Sequence, residues 1–508
     1  MDSTIYISIF FILFISFKYI LTRKKLPPSP FALPILGHLH LLKKPLHRTF
    51  QSLSHQFGPI LYLKFGFRNV LIISSPSFVE EIFTKNDIIF ANRPDFLAGQ
   101  YLGQNYTHIG WAPYGNQWRN LRRVTSIEIF SSNRILLSSN LRRQEIIHSI
   151  KEMFLQSSNE WKFIDLKSTF FDLTLNIMMK IVAGRPFYEH GIDLENKKRM
   201  REFLKDTFVP NVSMNLGDCF KILRRIPFLG LEKNLVKISR TRTEFLQSLI
   251  DERRRKRSSG GELIDEDNKR ITLIDGLLSL QETELDYYTD DTIQGLIMIM
   301  YTAGTDTSAL TMEWAMSVLL NHPEVLDKAR AEIDSNVEEG RLMDDSDLPK
   351  LPYLHCIINE TLRLFPAGPL LVPRSTSEEC IIGGYKIPRG TILFVNAWAI
   401  HRDPKAWEEP DSFKPERFEG VQGERDGFKF IPFGVGRRGC PGAGLAMKTM
   451  ALVLGIFIQC FEWKRVGPEL VDLTSGSGQT MPKAIPLEAF YRPRHGNSFT
   501  TLMSANSY

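Results

Sequence analysis

The chain has 508 residues, of which 43% are apolar and 24% are charged, and its net charge at pH 7 is +6. This composition excludes an intrinsically disordered chain, and the small positive charge forms no basic stripe interleaved with aromatic residues, which argues against nucleic-acid binding. The five cysteines are few and widely spaced, which indicates a reducing compartment without a disulfide framework.

The N-terminus has the features of a retained membrane anchor. Residues 5–21 are almost wholly apolar and just long enough to span a bilayer. Three basic residues at 23–25 follow, and the positive-inside rule places the rest of the chain on the cytosolic side. No small-residue cleavage site is evident, which favours a retained anchor over a cleaved signal peptide. The sequence therefore predicts an anchor at residues 1–22 and a basic, proline-rich hinge at residues 23–37.

Short strand-like segments are interspersed among longer helical segments in the rest of the chain. Residues 60–73 are rich in β-branched and aromatic residues around a turn at 66–69, which predicts a β-hairpin. Residues 380–387 and 391–395 are also strand-like, whereas helical patterning dominates elsewhere. The predicted fold class is therefore mainly α with minor β. Residues 96–115 lack clean periodicity and contain glycines and aromatics, so we expect a binding loop there.

One long predicted helix carries polar residues at its centre. Thr289 is a suitable N-cap, and two aspartates follow it in the first turn of a helix that extends to about Asn321. Residues 303–308, Ala-Gly-Thr-Asp-Thr-Ser, are costly in the middle of so apolar a helix. Such a departure from local rules indicates a functional site. The alternative is a helix kink stabilised by threonine side chains that bond back to the backbone.

The residue types of this central segment are suited to a small gas molecule beside a flat group. Ala303 and Gly304 have little or no side chain and therefore leave space. Thr307 can exchange a hydrogen bond with dioxygen, and Asp306 can pass protons through water from the cytosolic side. Because the cleavage of dioxygen requires protons, such a site needs a proton donor.

Two further pairs of residues have helical spacing. Glu360 and Arg363 lie three residues apart on one helix face, a spacing that by itself most often marks a surface ion pair. Residues 367–374 follow this helix and contain two prolines, so they are not helical. Upstream, Trp118 and Arg122 lie four residues apart on one face. By itself this second pair indicates only a packed tryptophan beside a solvated arginine.

A lone cysteine lies within the glycine-rich segment 433–442. Cys440 has no partner in a C-x-x-C arrangement, which excludes a zinc knuckle and a dithiol redox pair. The surrounding glycines allow the backbone to approach a flat ligand closely. Pro441 is predicted as the first helical residue, which places Cys440 at the N-cap. The positive end of that helix favours the thiolate over the thiol.

This setting is suited to a cysteinate ligand of a haem iron. The forked guanidinium group of Arg438 can then pair with a haem propionate, and Phe433 can shield the sulfur from water. The alternative is a buried cysteine in a glycine-rich turn. The complete spacing F-x-x-G-x-R-x-C-x-G, from Phe433 to Gly442, argues against that alternative.

The spacing resembles the haem-thiolate loop of the cytochrome P450 monooxygenases, and the likeness extends over essentially the whole chain. Residues 303–308 resemble the A/G-G-x-D/E-T-T/S segment of the oxygen-activating members, with Asp306 and Thr307 both present. The resemblance implies the cytochrome P450 fold, with a catalytic haem-thiolate domain at residues 38–508. It also implies haem b as the cofactor and Cys440 as the axial ligand of its iron.

The same resemblance implies roles for further residues. Glu360, Arg363 and Arg417 are expected to form a buried charge cluster that locks the loop below the haem. The other haem-binding residues that it implies are Trp118, Arg122, Arg374, Phe433, Arg438 and Gly442, with the tryptophan and the arginines at the propionates. The substrate contacts that it implies are Leu370, Leu371, Val372, Thr480 and Met481.

The resemblance also implies an activity, a partner and a location. The activity is insertion of one oxygen atom from O2 into an apolar metabolite, with electrons from NADPH through cytochrome P450 reductase. The location is the endoplasmic reticulum membrane, with a single-pass anchor and a cytosolic catalytic domain. A docking face for an acidic reductase is predicted, although scattered solubilising charges are the alternative. Its basic residues are Arg119, Arg123, Lys429, Arg437 and Lys448.

Within the family, the chain resembles the plant microsomal group that contains isoflavone hydroxylases and lignan-modifying enzymes. This likeness favours the hydroxylation of an isoflavonoid or another phenolic compound. The alternatives are oxidation of a terpenoid or a lignan, including closure of a methylenedioxy bridge, and a reductase-independent isomerase of the same fold. The intact pair Asp306 and Thr307 argues against the isomerase. A haem-bearing membrane scaffold without catalysis is a further alternative, and nothing in the sequence requires it.

Overall fold

The protein is mainly helical with small sheets, and helices account for 55% of it, which confirms the predicted fold class. The computed structural model describes residues 25–157, 160–188, 194–208, 214–226, 230, 232–259, 272–420 and 427–494. The predicted membrane anchor at residues 1–22 and the first residues of the hinge lie outside the described residues.

The elements of the described residues are numbered here in chain order. The α-helices are α1 (Leu46–Phe57), α2 (Pro76–Lys85), α3 (Leu97–Tyr101), α4 (Asn116–Glu128), α5 (Ser132–Leu137), α6 (Ser139–Ser157), α7 (Leu166–Ala183), α8 (Leu194–Phe208), α9 (Leu216–Cys219), α10 (Lys233–Ser258), α11 (Leu273–Thr283), α12 (Asp290–Asn321), α13 (Pro323–Asn336), α14 (Pro352–Leu364), α15 (Ala397–Ile400) and α16 (Ala443–Cys460). The strands are β1 (Ile60–Phe65), β2 (Arg68–Ile73), β3 (Lys162–Asp165), β4 (Arg374–Ser375), β5 (Cys380–Ile382), β6 (Tyr385–Ile387), β7 (Ile392–Val395), β8 (Phe461–Arg465) and β9 (Glu488–Pro493).

Helix α12 is buried over most of its length and has the predicted boundaries. The side chain of Thr289 caps its first turn by accepting a hydrogen bond from the backbone N–H of Thr292 at 3.3 Å. The helix ends at Asn321, and Pro323 begins the next helix. The backbone is α-helical without interruption across residues 303–308. The polar residues therefore sit in a continuous helix and do not break it.

Helix α12 makes its largest contact with α7. Gly304 lies at this contact, because a Cβ at that position would be 3.0 Å from the sulfur and from the methyl carbon of Met178. Thr174 of α7 also donates a hydrogen bond to the carbonyl oxygen of Thr305 at 3.3 Å. The missing side chain of Gly304 thus lets two helices approach each other. This differs from the expectation that Gly304 leaves space for a flat ligand.

A four-stranded sheet of order β1-β2-β7-β4 positions the segment that precedes Arg374. β1 and β2 form the predicted hairpin, with Gly66 at φ 58° in its turn. β7 runs parallel to β2 and antiparallel to β4. Because Arg374 is the first residue of β4, the sheet fixes the end of segment 367–373. The predicted strands at 380–387 form the separate hairpin β5–β6.

Helix α16 follows Cys440 and belongs to the protein core. Among the helices of the described residues, it alone is long and apolar enough to cross a membrane, but 67% of it is buried inside the protein. It packs against α12, α13 and α14. The cysteine loop is therefore anchored at its C-terminal end to the most apolar part of the molecule.

Candidate functional site

Cys440 lies in a tight loop in front of α16. Gly434 and Gly436 have φ angles of 67° and 69°, in the left-handed region that favours glycine. At Gly436, a Cβ would also lie 2.5 Å from Oδ1 of Asp87. The backbone N–H of Cys440 donates a hydrogen bond to the carbonyl oxygen of Phe433 at 2.9 Å, which closes the loop. The glycines that the sequence marks are thus required by backbone geometry and by close packing.

The helix after the loop begins later than the sequence predicts. α16 starts at Ala443 with Gly442 as its N-cap, so Pro441 is not the first helical residue and Cys440 is not the N-cap. Cys440 has accessible surface, but burial of its sulfur still raises the pKa of the thiol. The charge of Arg122 and the backbone N–H groups of Gly442 and Ala443 oppose this increase without cancelling it. A thiolate here needs a further positive charge, which a coordinated metal ion supplies.

Four arginines from distant parts of the chain converge near the cysteine loop. They are Arg93, Arg122, Arg374 and Arg438. Nη1 of Arg122 donates a hydrogen bond to the carbonyl oxygen of Gly439 at 2.8 Å. Nε of Arg438 donates to the carbonyl oxygen of Ala91 at 2.7 Å. Arg374 donates to the carbonyl oxygen of Val435 within the same loop. The structure thus brings together the three arginines that were predicted at the propionates.

Arg93 is the member of this arginine cluster that the sequence did not indicate. Its guanidinium group donates hydrogen bonds to the carbonyl oxygens of Gly110 (2.9 Å), Val372 (3.1 Å) and Pro373 (2.8 Å). It therefore joins the loop at residues 96–115 to the segment before β4. No helical or strand spacing relates Arg93 to the other three arginines, so only the folded chain reveals its place.

The arginine cluster carries more positive charge than its protein partners balance. Burial and the neighbouring arginines lower the pKa of Arg438 to about 9, and burial lowers the pKa of Arg374 to about 10. The pKa of Arg93 is also lowered, by burial and by the charges of Arg438 and Arg374. Within the described parts of the chain, the carboxylate that pairs with this cluster is Asp87, 3.3 Å from Arg374. A ligand with two carboxylates would balance the remaining charge.

Trp118 and Arg122 lie one turn apart on α4, as their spacing predicts. Nε1 of Trp118 donates a hydrogen bond to the carbonyl oxygen of Ile109 at 3.1 Å. Arg438 donates to the same carbonyl oxygen at 3.1 Å, and its Cζ lies 4.4 Å from the centre of the Trp118 ring. Trp118 is therefore part of the arginine cluster, and stacking on its ring orients the Arg438 guanidinium group.

The polar residues of α12 form the second half of the candidate site. Oγ1 of Thr307 donates a hydrogen bond to the carbonyl oxygen of Ala303 at 2.6 Å, so its lone pairs can accept another hydrogen bond. A threonine side chain therefore does bond back to the helix backbone, as the alternative interpretation expected, but the helix is not broken. Burial raises the pKa of the Asp306 carboxyl, and Thr480 donates a hydrogen bond to its Oδ2 at 3.1 Å. Ala303 is exposed, although most of this helix is buried.

The structure brings Glu360, Arg363 and Arg417 together in the interior. Glu360 and Arg363 are fully buried, and Nε of Arg363 lies 2.7 Å from Oε2 of Glu360. Nε of Arg417 donates to Oε1 of Glu360 at 3.0 Å. Arg363 also donates to the carbonyl oxygens of Pro410 (2.6 Å) and Ser412 (3.1 Å). The cluster therefore ties α14 to the irregular segment that leads towards the cysteine loop.

His401 connects this charge cluster to the start of the cysteine loop. Nη1 of Arg363 donates to the carbonyl oxygen of His401 at 2.7 Å, and Nδ1 of His401 lies 3.2 Å from the carbonyl oxygen of Arg363. Nε2 of His401 accepts the backbone N–H of Ile431 at 2.9 Å. Burial and the charges of Arg363 and Arg402 lower the pKa of His401 to about 3. The neutral ring thus donates through Nδ1 and accepts through Nε2. No spacing in the sequence marked this residue.

The predicted substrate residues differ in their surroundings. Leu370 and Leu371 are half-buried, and Val372 is 53% exposed, so this segment presents apolar surface. Leu371 has φ 51°, a conformation that costs a residue with a bulky side chain about 1–3 kcal/mol. Met481 is 1% exposed and packs in the main core, against which Phe433 also packs. Thr480, the remaining member, contacts Asp306 as described above.

Comparison with known proteins assigns the fold. The family model described as cytochrome P450 matches residues 27–485. The chain belongs to the cytochrome P450 family. The (+)-piperitol/(+)-sesamin synthase of Sesamum radiatum is 49% identical over 93% of this P450 and 91% of that protein. An isoflavone 2'-hydroxylase of Medicago truncatula is 45% identical over 97% of both chains, and an isoflavone 3'-hydroxylase of the same species is 46% identical over 92% of both. This P450 is therefore a monooxygenase of the oxidoreductase class.

Members of the P450 family hold a haem through a cysteine thiolate, and the residues of this P450 fit that group. Cys440 supplies a sulfur whose ionisation needs a nearby cation. The arginine cluster supplies the charge that two propionates would neutralise. Glycines allow the tight course of the loop between them.

We expect Arg363→Ala to lose haem and not merely catalytic rate. Removing one partner of a buried ion pair leaves Glu360 buried with reduced compensation, which costs about 3–5 kcal/mol. The segment that leads to the Cys440 loop would then lose the side-chain hydrogen bonds from residue 363 to the carbonyl oxygens of His401, Pro410 and Ser412. The carbon monoxide difference spectrum of the reduced protein measures the result. Arg240→Ala, which removes an exposed i,i+4 pair with Glu244, is the matched control. A normal haem content in Arg363→Ala would contradict the structural role.

We expect the stability of the P450 to fall as the pH drops below about 6.5, partly because of His401. Its folded pKa is about 3 and its ordinary value is 6.5, so only the unfolded chain takes up this proton between those values. The linkage amounts to a loss of about 2 kcal/mol between pH 7 and pH 5 for this group. Denaturation midpoints at the two pH values measure it. His401→Gln keeps a donor and an acceptor and is expected to show a smaller loss, whereas an unchanged loss would exclude His401 as a source.

Proposed function

We propose that this P450 hydroxylates an isoflavonoid or a related apolar phenolic compound, with electrons that NADPH supplies through cytochrome P450 reductase. The observation that carries the proposal is the adjacent pair Asp306 and Thr307 on an unbroken α12, beside the exposed Ala303. An acid next to an alcohol is an arrangement that can deliver protons to dioxygen. The names of the isoflavone hydroxylases among its relatives support the substrate class.

The proposed mechanism gives each side of the site a separate task. Haem, when bound, supplies the activation of dioxygen and the one-electron chemistry. Cys440 would hold the iron from the loop side, while Trp118 and the arginine cluster would hold the propionates. Asp306 would take up protons from solvent and pass them on towards Thr307. The Thr307 hydroxyl can accept a hydrogen bond while its own proton points to the carbonyl oxygen of Ala303.

Pocket shape and polarity would select the substrate. Leu370, Leu371 and Val372 offer apolar surface next to the arginine cluster, since Arg93 holds the carbonyl oxygen of Val372. An apolar wall of this kind suits a flat phenolic ring system. A second candidate activity is the oxidation of a lignan, including closure of a methylenedioxy bridge. The 49% identity with a protein named for (+)-piperitol and (+)-sesamin synthesis favours it.

The surface around the cysteine loop supports docking of an acidic reductase. Four of the five basic residues that were predicted there are exposed, namely Arg119, Arg123, Arg437 and Lys448. The guanidinium carbons of Arg119 and Arg437 each lie 5.6 Å from the ring centre of Tyr114, so two separate elements share one basic surface. Lys429 is half-buried and contributes less. Complementary charge would mainly increase the rate of association.

An exposed apolar patch supports attachment to the endoplasmic reticulum membrane in addition to a single-pass anchor at residues 1–22. Its side chains are exposed to between 57% and 74% and come from three chain segments: Phe31, Ile35, Phe67, Leu216 and Ile222. The backbone N–H of Phe67 donates to the carbonyl oxygen of Cys219 at 3.3 Å, and that of Gly66 donates to Leu36 at 3.2 Å. These bonds hold the segments side by side. Phe31 and Ile35 of the patch belong to the predicted hinge itself, where the chain would leave the membrane.

We expect turnover to require NADPH and reductase and to give a product 16 mass units heavier than its substrate, the mass of one oxygen atom. The assay incubates microsomes with a mixed panel of isoflavonoids, lignans and terpenoids and detects products by mass spectrometry.

Cys440→Ser is expected to abolish the thiolate Soret band. Thr307→Ala is expected to keep that band but to form less product for each NADPH consumed. Loss of two hydrogens from a lignan would indicate bridge closure, and turnover without NADPH would instead indicate the isomerase.

We expect the membrane to hold this P450 in two ways. The full chain is expected to remain in the membrane pellet after alkaline carbonate extraction, and removal of residues 1–22 is expected to release it. The shortened chain is still expected to float with phosphatidylcholine vesicles. The double variant Phe67→Ser/Ile222→Ser would weaken that flotation, whereas Leu470→Ser, which changes an equally exposed leucine outside the patch, would not. If the shortened chain floated equally well with and without Phe67→Ser/Ile222→Ser, the result would contradict the role of the patch.

A further inference from the structure

The loop at residues 475–483 is fixed at its C-terminal end, through Met481 and Lys483. The carbonyl oxygen of Met481 accepts a hydrogen bond from Nε1 of Trp314 on α12 at 2.8 Å. The backbone N–H of Met481 donates to the carbonyl oxygen of Ala367 at 3.0 Å. Lys483 lies 4.6 Å from the centre of the Trp314 ring and donates to the carbonyl oxygen of Asp472. The residue just before Met481 therefore has a defined position against α12.

That residue is Thr480, and its side chain meets the acid of α12. Oγ1 of Thr480 donates a hydrogen bond to Oδ2 of Asp306 at 3.1 Å, although the two residues are 174 positions apart in the chain. Thr480 is half-buried. The resemblance to the family predicted a substrate contact for Thr480. The geometry gives its hydroxyl a different partner, the carboxyl group next to Thr307.

The surroundings of Asp306 make this hydrogen bond consequential. Burial raises the pKa of the Asp306 carboxyl, while the Thr480 hydroxyl and the charge of Lys167 act in the opposite direction. Lys167 is exposed at the start of α7. Glu313, two turns further along α12, is buried and also has a raised pKa, which the backbone N–H of Leu487 and the charges of Lys167 and Lys483 oppose. Thr480 is thus the one hydrogen-bond donor from another element that the described residues present to the Asp306 side chain.

We propose that Thr480 is a positioning residue for proton delivery: its hydroxyl orients the Asp306 carboxyl and favours its ionised form. The inference rests on the proposed function of Asp306 and deepens it. A half-buried carboxyl that takes up and releases protons needs a fixed orientation, and its ionised form must not be too unfavourable. One hydroxyl contributes to both. The C-terminal loop, whose predicted role is substrate contact, thereby also supports proton delivery by Asp306.

The decisive variant is Thr480→Val, which keeps the shape of the side chain and removes the hydroxyl. Thr480→Ser restores the hydroxyl, and Gln479→Ala changes an exposed neighbour on the same loop as the matched control. The first readout is independent of catalysis: infrared difference titration of the C=O stretch of the protonated Asp306 carboxyl in the holoprotein. The band is assigned by its absence in Asp306→Asn. The second readout is the ratio of product formed to NADPH consumed.

We expect the infrared titration of Thr480→Val to move to higher pH, since loss of the donor leaves the carboxylate less stabilised. We also expect a several-fold fall in coupling, with an unchanged thiolate Soret band. Serine is expected to restore both values, and Gln479→Ala to resemble the parent. An Asp306 titration in Thr480→Val that coincides with the parent would overturn the proposal. If the valine variant lost its haem, Thr480→Ala would decide by the same titration.

The two readouts separate this inference from the proposed function. Absence of NADPH-dependent turnover in the parent P450 would overturn the function while the infrared titration still decided the Thr480–Asp306 contact. A shifted titration with unchanged coupling would establish the contact but overturn the positioning role in catalysis. A coupling loss that serine does not restore would likewise overturn it, because it would point to packing and not to the hydroxyl.

Discussion

The buried ion pair between Glu360 and Arg363 holds the framework on which the site depends. Two charges with no solvent exposure are stable only when every lone pair and proton finds a partner. Arg363 meets this requirement by donating to carbonyl oxygens around residues 401–412, and Glu360 by accepting from Arg417 and from the backbone N–H of Lys414. The need to satisfy two ions thus shapes an irregular segment that has no regular secondary structure to hold it.

Neutral hydrogen-bonding groups connect this ion pair to the cysteine loop. His401 receives a hydrogen bond from Ile431 and is kept unprotonated by burial between arginines. From Ile431 onwards, backbone hydrogen bonds and two glycines in the left-handed region determine the path to Cys440. The loop therefore joins a charged scaffold on one side to the apolar helix α16 on the other. Between them, the thiol is held where burial opposes its ionisation unless a cation is present.

On the opposite side of the site, the functional residues belong to one continuous helix. Helix α12 carries a glycine and several polar side chains at its centre, and three of these residues have a clear structural partner. Gly304 admits α7, threonine hydroxyls bond back to carbonyl oxygens, and Asp306 receives Thr480 from the C-terminal loop. Thr307 satisfies its donor within the helix, whereas the buried Oγ1 of Thr305 has no hydrogen-bond partner among the described residues. The candidate catalytic residues Asp306 and Thr307 therefore lie on a continuous helix, while Thr480, which contacts Asp306, comes from a loop.

The sequence by itself determined the fold class, the span of α12 and the hairpin at 60–73, because these depend on local periodicity, capping and short spacings. It also predicted Cys440, Asp306 and Thr307 as site residues. It misplaced the start of α16, since proline and glycine preferences near a helix end do not decide which carbonyl oxygens the loop uses. It assigned Gly304 to a ligand, although a neighbouring helix occupies that space. Only the tertiary structure placed Arg93, His401 and Thr480. Their partners lie tens to hundreds of residues away, and hydrogen bonds between such distant groups leave no periodic signal in the chain.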